Sequence, residues 1–123
     1  MNKDLNAPGE FDYDSLNDTL FFKVKERTYQ KSIELGDLVL DFDDENFVVG
    51  LQIFNASTFM GLSKSTLMNL KGFHLQSRIQ DQMLTLRLTF ATMSRNKITE
   101  YKPIIYQEIK DNVPNSELIC SLN

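Results

Sequence analysis

Four acidic residues crowd one short stretch, Asp41, Asp43, Asp44 and Glu45 in "DFDDEN". Carboxylates at this spacing suit two chemistries: chelation of a divalent cation, or general acid–base work by a pair. A helix–loop–helix calcium loop also needs a central glycine and a closing glutamate twelve positions in. No glycine stands in this run, and Phe47, Val48 and Val49 follow at once. Asp and Asn favour turns, because their side chains bond nearby backbone N–H groups. The run therefore reads as a hairpin tip with outward carboxylates, and no metal site is assigned to it.

The other reactive side chains stand alone. His74 is the sole histidine, so a histidine-rich metal site is excluded, and no serine lies in a nucleophile-elbow motif. Cys120 is the sole cysteine, which rules out an internal disulfide and a cysteine-rich zinc site. It lacks the basic or helix-start setting that would lower its pKa. None of the five glycines builds a phosphate-cradling loop. No catalytic, cofactor-binding or metal-ligating residue is assigned, and no cofactor is expected. His74, Arg78 and Arg87, with Gln76, share the polar face of one strand pair. That mildly basic face joins Asp41, Asp43, Asp44 and Glu45 as a candidate surface. It suits an acidic partner or RNA, but RNA-binding sheets carry stacking aromatics on that face and this one has none.

Three hairpins must position these residues. In "FDYDSLNDTLFFKVKE", pairing Tyr13 with Leu20 sets Phe11 opposite Phe22 on one face, with residues 15–18 as the connection. In "DLVLDFDDENFVVGLQIF", a tight turn at Asp44-Glu45 pairs Phe42 with Phe47, Leu40 with Val49 and Leu38 with Leu51. In "GFHLQSRIQDQMLTLRLTF", a turn at Asp81-Gln82 pairs Ile79 with Leu84, Ser77 with Leu86, Leu75 with Leu88 and Phe73 with Phe90. A slip of one residue would send the two apolar sets to opposite faces, so each agreement supports its register. The third hairpin is apolar on one face and polar on the other, as a sheet with one wet side requires.

The remaining segments are less regular. Residues 55–72 read as one broken helix or two short ones: Ala56, Phe59 and Met60 fit a first turn, Ser63 caps a second with Leu67 and Leu70 on its face, and Gly72 stands at its stop. A further strand over 98–107 carries Ile104 and Tyr106 on one face, Tyr101 and Ile105 on the other. Pro103 cannot donate a ladder hydrogen bond, so this strand belongs at an edge or contains a bulge. The tail "NVPNSELICSL" or a second chain is expected to cover it. Residues 1–9 read as a flexible lead-in and 10–123 as a single domain. The fold class is α+β: mostly antiparallel sheet built from hairpins, with one short, broken helical segment.

Composition sets the outer limits. The 123 residues are 41% hydrophobic and 24% charged, which suits a folded domain. A net charge of −4 and a pI near 4.9 give no general attraction to a phosphate backbone, which argues against nucleic acid as the main partner. "MNKDLNAPGEFDYD" lacks the plan of a secretory signal. The longest apolar runs fall far short of the ~20 residues that span a bilayer. A cytoplasmic protein with no membrane segment is expected.

One combination of motifs is more specific. A Tyr-Asp turn with a second Asp before an apolar strand is carried by Tyr13, Asp14, Asp18 and Leu20. An acidic D-x-D tip follows at Asp41 and Asp43, then G-x-x-I at Gly50 and Ile53 and N-A-S at Asn55, Ala56 and Ser57. Over 11–57 the chain resembles a family of small microbial proteins classed as domain of unknown function 2283. Gln52 replaces the acidic residue common before the isoleucine, and the added length matches the longer archaeal members. The resemblance implies no established activity. It implies an antitoxin or inhibitor role by analogy, since some short members are encoded beside small toxin-like proteins.

These observations favour a non-catalytic protein-binding or regulatory module, with a protein partner or self-association as a homodimer. One alternative is an antitoxin-like inhibitor of a small basic toxin, which the acidic balance favours. The other is a small-ligand-binding protein or enzyme using carboxylates near Asp41 and Asp43.

Overall fold

A computed structural model describes residues 3–122. The strands are β1 (Lys3–Asp14), β2 (Thr19–Val24), β3 (Tyr29–Leu35), β4 (Leu38–Asp43), β5 (Val48–Ile53), β6 (Leu70–Gln80), β7 (Met83–Ser94), β8 (Lys97–Tyr101), β9 (Ile104–Glu108) and β10 (Ser116–Leu122). Two short helices, α1 (Ala56–Met60) and α2 (Lys64–Met68), lie between β5 and β6. Strand order is β3-β4-β5-β2-β1-β10-β6-β7-β8, with β9 also on β7. Every pair is antiparallel except β1 with β10. The structure is thus sheet-rich, with little helix.

The sheet divides at β1. Lys3–Pro8 pairs with β10, and Gly9–Asp14 pairs with β2. One strand thereby serves both halves, a way in which two packed sheets are joined at a corner. The halves meet through their apolar faces. Phe22 of the β2 half lies 4.8 Å from Phe73 of the β6 half, ring centre to ring centre, and Phe11 and Phe90 flank Phe73 at 5.3 and 5.1 Å. Leu40, Phe42, Leu51, Leu75, Leu86 and Phe90 are buried in the same cluster. The close approach falls at Gly9, where a Cβ would meet the Cys120 sulfur at 2.5 Å and the Lys23 carbonyl at 2.9 Å.

Two of the three hairpins have the registers their alternation demands. Tyr13 faces Leu20 and Phe11 faces Phe22. Ile79 faces Leu84 and the ladder continues to Phe73 opposite Phe90. The turn at Asp81-Gln82 holds both residues at positive φ, 51° and 67°, which matches the twist of a two-residue hairpin. Gln82 also ties down the route to β10. Its Nε2 donates to the carbonyls of Ile109 (3.0 Å) and Asp111, while its Oε1 accepts from Val113 N at 3.2 Å.

The middle hairpin is offset. Leu40 pairs with Leu51 and Leu38 with Ile53, two residues beyond the expected partners, and a bulge lies between Asp41 and Phe42. The shift is even, so the buried faces are kept. Its cause is a longer loop: Asn46 takes a left-handed φ of 66° and its N–H bonds the Asp43 carbonyl at 3.1 Å.

Other segments depart further from expectation. Lys3–Gly9, read as a lead-in, is strand. The second helix is capped by Ser63, whose hydroxyl accepts from Thr66 N at 3.1 Å, but it ends at Met68, and Leu70 and Gly72 belong to β6. Residues 98–107 fall in two strands, β8 and β9, both on β7 at the sheet edge and broken at Lys102-Pro103. The tail does not cover that edge. It is β10, inserted between β1 and β6, because Leu118 and Cys120 alternate inward like the residues beside them.

Candidate functional site

The acidic tip splits into one structural and several exposed carboxylates. Asp43 is fully buried and is the centre of the loop. Its Oδ1 accepts from Glu45 N at 3.0 Å and Phe47 N at 2.9 Å; its Oδ2 accepts from Arg27 Nε at 2.7 Å and from the Arg27 terminal nitrogen. The expected outward carboxylate at Asp43 is therefore corrected: the loop amides need an acceptor, and only an inward side chain supplies one. Arg27 reaches it from the β2–β3 connection, lies 5.6 Å from the Phe47 ring centre and is 3.4 Å from Glu45. Hydrogen bonding to Asp43 raises the guanidinium pKa further, partly opposed by burial. Asp44 and Glu45 remain exposed.

A second carboxylate fastens the first hairpin to α1. Asp18, at a φ of 51°, accepts from the Tyr13 hydroxyl at 2.6 Å, from Ser57 N at 3.1 Å and from the Ser57 hydroxyl at 2.6 Å. Its own carbonyl accepts from Ala56 N at 2.9 Å. The helix is thus capped by a residue 39 positions earlier, and Asn55 makes no side-chain cap. Burial pushes the Asp18 carboxyl up, but the bonds from Ser57 and Tyr13 and the charge of Lys64 outweigh it and hold its pKa low. Burial and the neighbouring Asp18 push Tyr13 up to about 12. Asp14 accepts from Leu16 N and Asn17 N, both at 3.1 Å, within the turn.

Asp41 is a half-buried motif carboxylate on the outward face of β4. It stands in a row across four strands, Lys23–Gly50–Asp41–Ser32. A Cβ on Gly50 would meet the Asp41 Oδ2 at 2.8 Å, so the carboxylate lies across the glycine. The Ser32 hydroxyl donates to Asp41 Oδ1 at 2.6 Å and lies 2.8 Å from the Tyr29 hydroxyl. The missing side chain leaves a shallow depression of about 320 Å3, whose lining includes Phe21, Lys23, Arg27, Tyr29, Asp41 and Gln52.

The basic candidates lie on the other half. His74 and Arg78 on β6 and Arg87 on β7 are exposed on the outward face, as their alternation requires. The structure does not bring them to Asp41, which belongs to the β2 half. Among the described residues, no three of His, Cys, Asp and Glu group so as to hold a metal ion, and no helix is long and apolar enough to cross a membrane. Burial pushes the Cys120 thiol up to about 11, away from nucleophilic character. Arg27 and Gly50 escape a reading by local pattern, since one lies in an irregular connection and the other is an isolated glycine in a strand. An isolated strand glycine is the available signal of a close approach.

The class that emerges is a two-layer antiparallel-sheet domain whose motif residues are engaged largely in its own turns. The profile of the family "Protein of unknown function (DUF2283)" matches residues 10–57. An uncharacterized protein of Methanocaldococcus jannaschii is 33% identical over 89 residues, covering 72% of this chain and 77% of that protein. The chain belongs to this family. A Methanosarcina mazei protein named "Putative hypoxanthine phosphoribosyltransferase" is 29% identical over 91 residues, 74% of each chain. No solved structure matches.

Two outcomes follow from these bonds. Asp43→Ala should lower stability by about 3 kcal/mol, since it strips a buried acceptor from two amides and a guanidinium, whereas Asp44→Asn should stay within about 0.5 kcal/mol. Urea titrations with the same midpoint for both variants would show that Asp43 is not the centre of the loop. The pH response has two limbs. The depressed Asp18 pKa means the unfolded chain takes up the proton first, so this stability is present above the ordinary aspartate value and is lost as pH falls below it. The raised Tyr13 pKa means the unfolded chain loses its proton first, so that stability is lost from pH 10 to about 12. Tyr13→Phe should abolish the most alkaline tyrosinate step in ultraviolet absorbance; an unchanged titration curve would contradict the assignment.

Proposed function

We propose that this protein is a non-catalytic protein-binding or regulatory module of the cytoplasm, and that it self-associates through its β8–β9 edge. The observation that carries this reading is the outward face of β7, β8 and β9. Met83, Met93, Ile98, Ile104 and Tyr106 all stand exposed there, with Ile98 at 64% and Tyr106 at 65%. Met93 is directly opposite Ile98, and Thr85 is opposite Tyr106. Tyr101 and Ile105 face the other way and pack on the core. β10 is occupied between β1 and β6, so the chain's own tail leaves this face open. An edge strand with large apolar side chains favours burial against a second surface.

The test is sedimentation at about 100 μM, where even a micromolar dimer is populated. Ile98→Lys and Tyr106→Glu should each shift the wild-type dimer toward monomer with an unchanged circular dichroism spectrum. A monomeric wild type overturns self-association.

A second reading is small-ligand binding at the Gly50 depression. It is supported by the partly open Asp41 beside Lys23, Gln52 and Phe21, and by the printed name of the Methanosarcina relative, which denotes an enzyme acting on a purine base. Hypoxanthine should then raise the melting temperature of the wild type and not of Asp41→Asn. No shift at millimolar hypoxanthine removes this reading. The inhibitor of a basic partner finds its support in the same outer face, where Glu10, Asp12 and Glu34 are exposed around Asp41.

A further inference from the structure

The outward face of β6 and β7 contains a depression of about 240 Å3 lined by Gln76, Arg78, Thr85 and Arg87. Gln76 is directly opposite Arg87, and Arg78 directly opposite Thr85. The four side chains therefore stand at the corners of one cross-strand rectangle, and the two arginines occupy its diagonal. Diagonal neighbours on a strand pair are within reach of long side chains, and like charges so placed repel.

The surroundings relieve that repulsion at one corner only, where a carboxylate on β10 stands opposite Arg78. The chain has 17 acidic and 13 basic residues, yet the lining of this depression holds no carboxylate. Among the described residues neither arginine has an ion pair or a side-chain hydrogen bond. The carboxylate nearest in register is Glu117, opposite Arg78 on β10. Its Oε1 accepts from Gln76 Nε2 at 2.6 Å, so it bonds the amide and not the guanidinium. What remains is a pair of guanidinium forks with a hydroxyl and an amide beside them. Such forks match the oxygens of an oxyanion bidentately. With the Gln76 amide held by Glu117, the two forks and the Thr85 hydroxyl stand on three corners, which suits a tetrahedral anion with oxygens on every side better than a planar carboxylate with two.

A second recess adjoins it. The ladder between β7 and the edge is interrupted where Pro103 has no N–H, and the Pro103 carbonyl accepts from Leu88 N at 3.1 Å. Around this break Arg87, Leu88, Thr89, Lys102, Pro103 and Ile104 enclose about 160 Å3. Arg87 lines both spaces, so a ligand seated on it can extend from one to the other.

We infer that the depression between β6 and β7 is a phosphate-binding site, in which Arg78 and Arg87 grip the oxyanion and the recess at Pro103 accepts the organic part of a small phosphomonoester. The recess shares Ile104 with the proposed self-association face, whereas the arginine depression uses none of that face's exposed apolar residues and does not rest on association. Binding is read on the arginines, and association by sedimentation.

The probes are inorganic phosphate and adenosine monophosphate, titrated separately at constant ionic strength into 15N-labelled protein, with the arginine side-chain and β6–β7 amide shifts followed. Both should give saturable shifts at Arg78 and Arg87. Tighter binding of the nucleotide assigns the recess to its organic part. Equal binding assigns free phosphate as the ligand and overturns the role of the recess. Arg78→Gln and Arg87→Gln, each folded by circular dichroism, should weaken binding by about tenfold or more, as loss of a charge-assisted pair requires. Arg87→Lys should recover part of that loss, because a point charge replaces the fork. No saturable shift with either probe, or shifts that survive both glutamine variants, overturns the site.

Discussion

The pairing of β1 with β10 is the constraint on which the other contacts depend. It is the one parallel pair in the sheet, and it joins strands from the two ends of the described chain. Without β10, β6 has no neighbour on one side and the β6–β9 half has no bonded route to β1. The pairing is also the most non-local in the fold, and such contacts carry the largest loop-closure cost. That cost is offset by burial along the seam, where Leu118 and Cys120 are almost wholly enclosed. Gly9 follows from the same constraint, since the strand can cross between halves only where no side chain meets the Cys120 sulfur.

The turns are held by buried or half-buried carboxylates. Asp43 and Asp18 each accept backbone N–H groups that the loops would otherwise leave unsatisfied, and each also accepts from a side chain, Arg27 in one case and Tyr13 in the other. A buried ion pair gives little net stability over an apolar replacement, yet losing one partner is costly. Such a pair therefore specifies loop geometry more than it adds free energy. The motifs have a physical explanation here: the Tyr-Asp and N-A-S residues lock the first loop onto one short helix, and Asp43 of the D-x-D closes the β4–β5 loop on its own amides and Arg27.

What the chain's pattern made legible was what depends on neighbours in sequence. The third hairpin was readable to the residue because its two-residue turn and unbroken alternation leave one register. The first was readable from the same alternation, with Asp14 before its four-residue connection and Asp18 closing it. The second was misplaced by two residues because the Asp43 carboxylate lengthens the loop, and hydropathy does not report a side chain that bonds its own amides. β10 was hidden for a different reason. "SELICSL" alternates like any strand, but parallel pairing with a segment over a hundred residues away leaves no local trace. The Pro8-Gly9 step looked like a break and is a crossing. Of the candidate surface, the exposed faces of Arg78, Arg87 and His74 followed from alternation. The separation of Asp43 from Asp44 did not, because only tertiary structure supplies Arg27.

The two outer faces differ in charge in a way that net charge conceals. On the β2 half, Glu10, Asp12, Glu34 and Asp41 surround Lys23, and Arg27 is drawn off to Asp43 and Glu45. On the β6 half, Arg78 and Arg87 stand at the centre, Glu117 is held by Gln76, and Lys102 at the edge pairs with Glu100 at 3.5 Å. An acidic chain thus has one predominantly acidic outer face and one mixed face whose positive charge is concentrated at two central arginines. In water, exposed charges interact weakly beyond about 10 Å at ordinary ionic strength, so each face acts on its own surroundings and not as part of a uniform −4 field. The apolar side chains separate the same way. Ile98, Ile104 and Tyr106 border the basic face, while Phe21 and Tyr29 border the acidic one. Each face therefore combines its own local charge cluster with its own apolar rim, which is the composition that selects a partner by charge and holds it by burial.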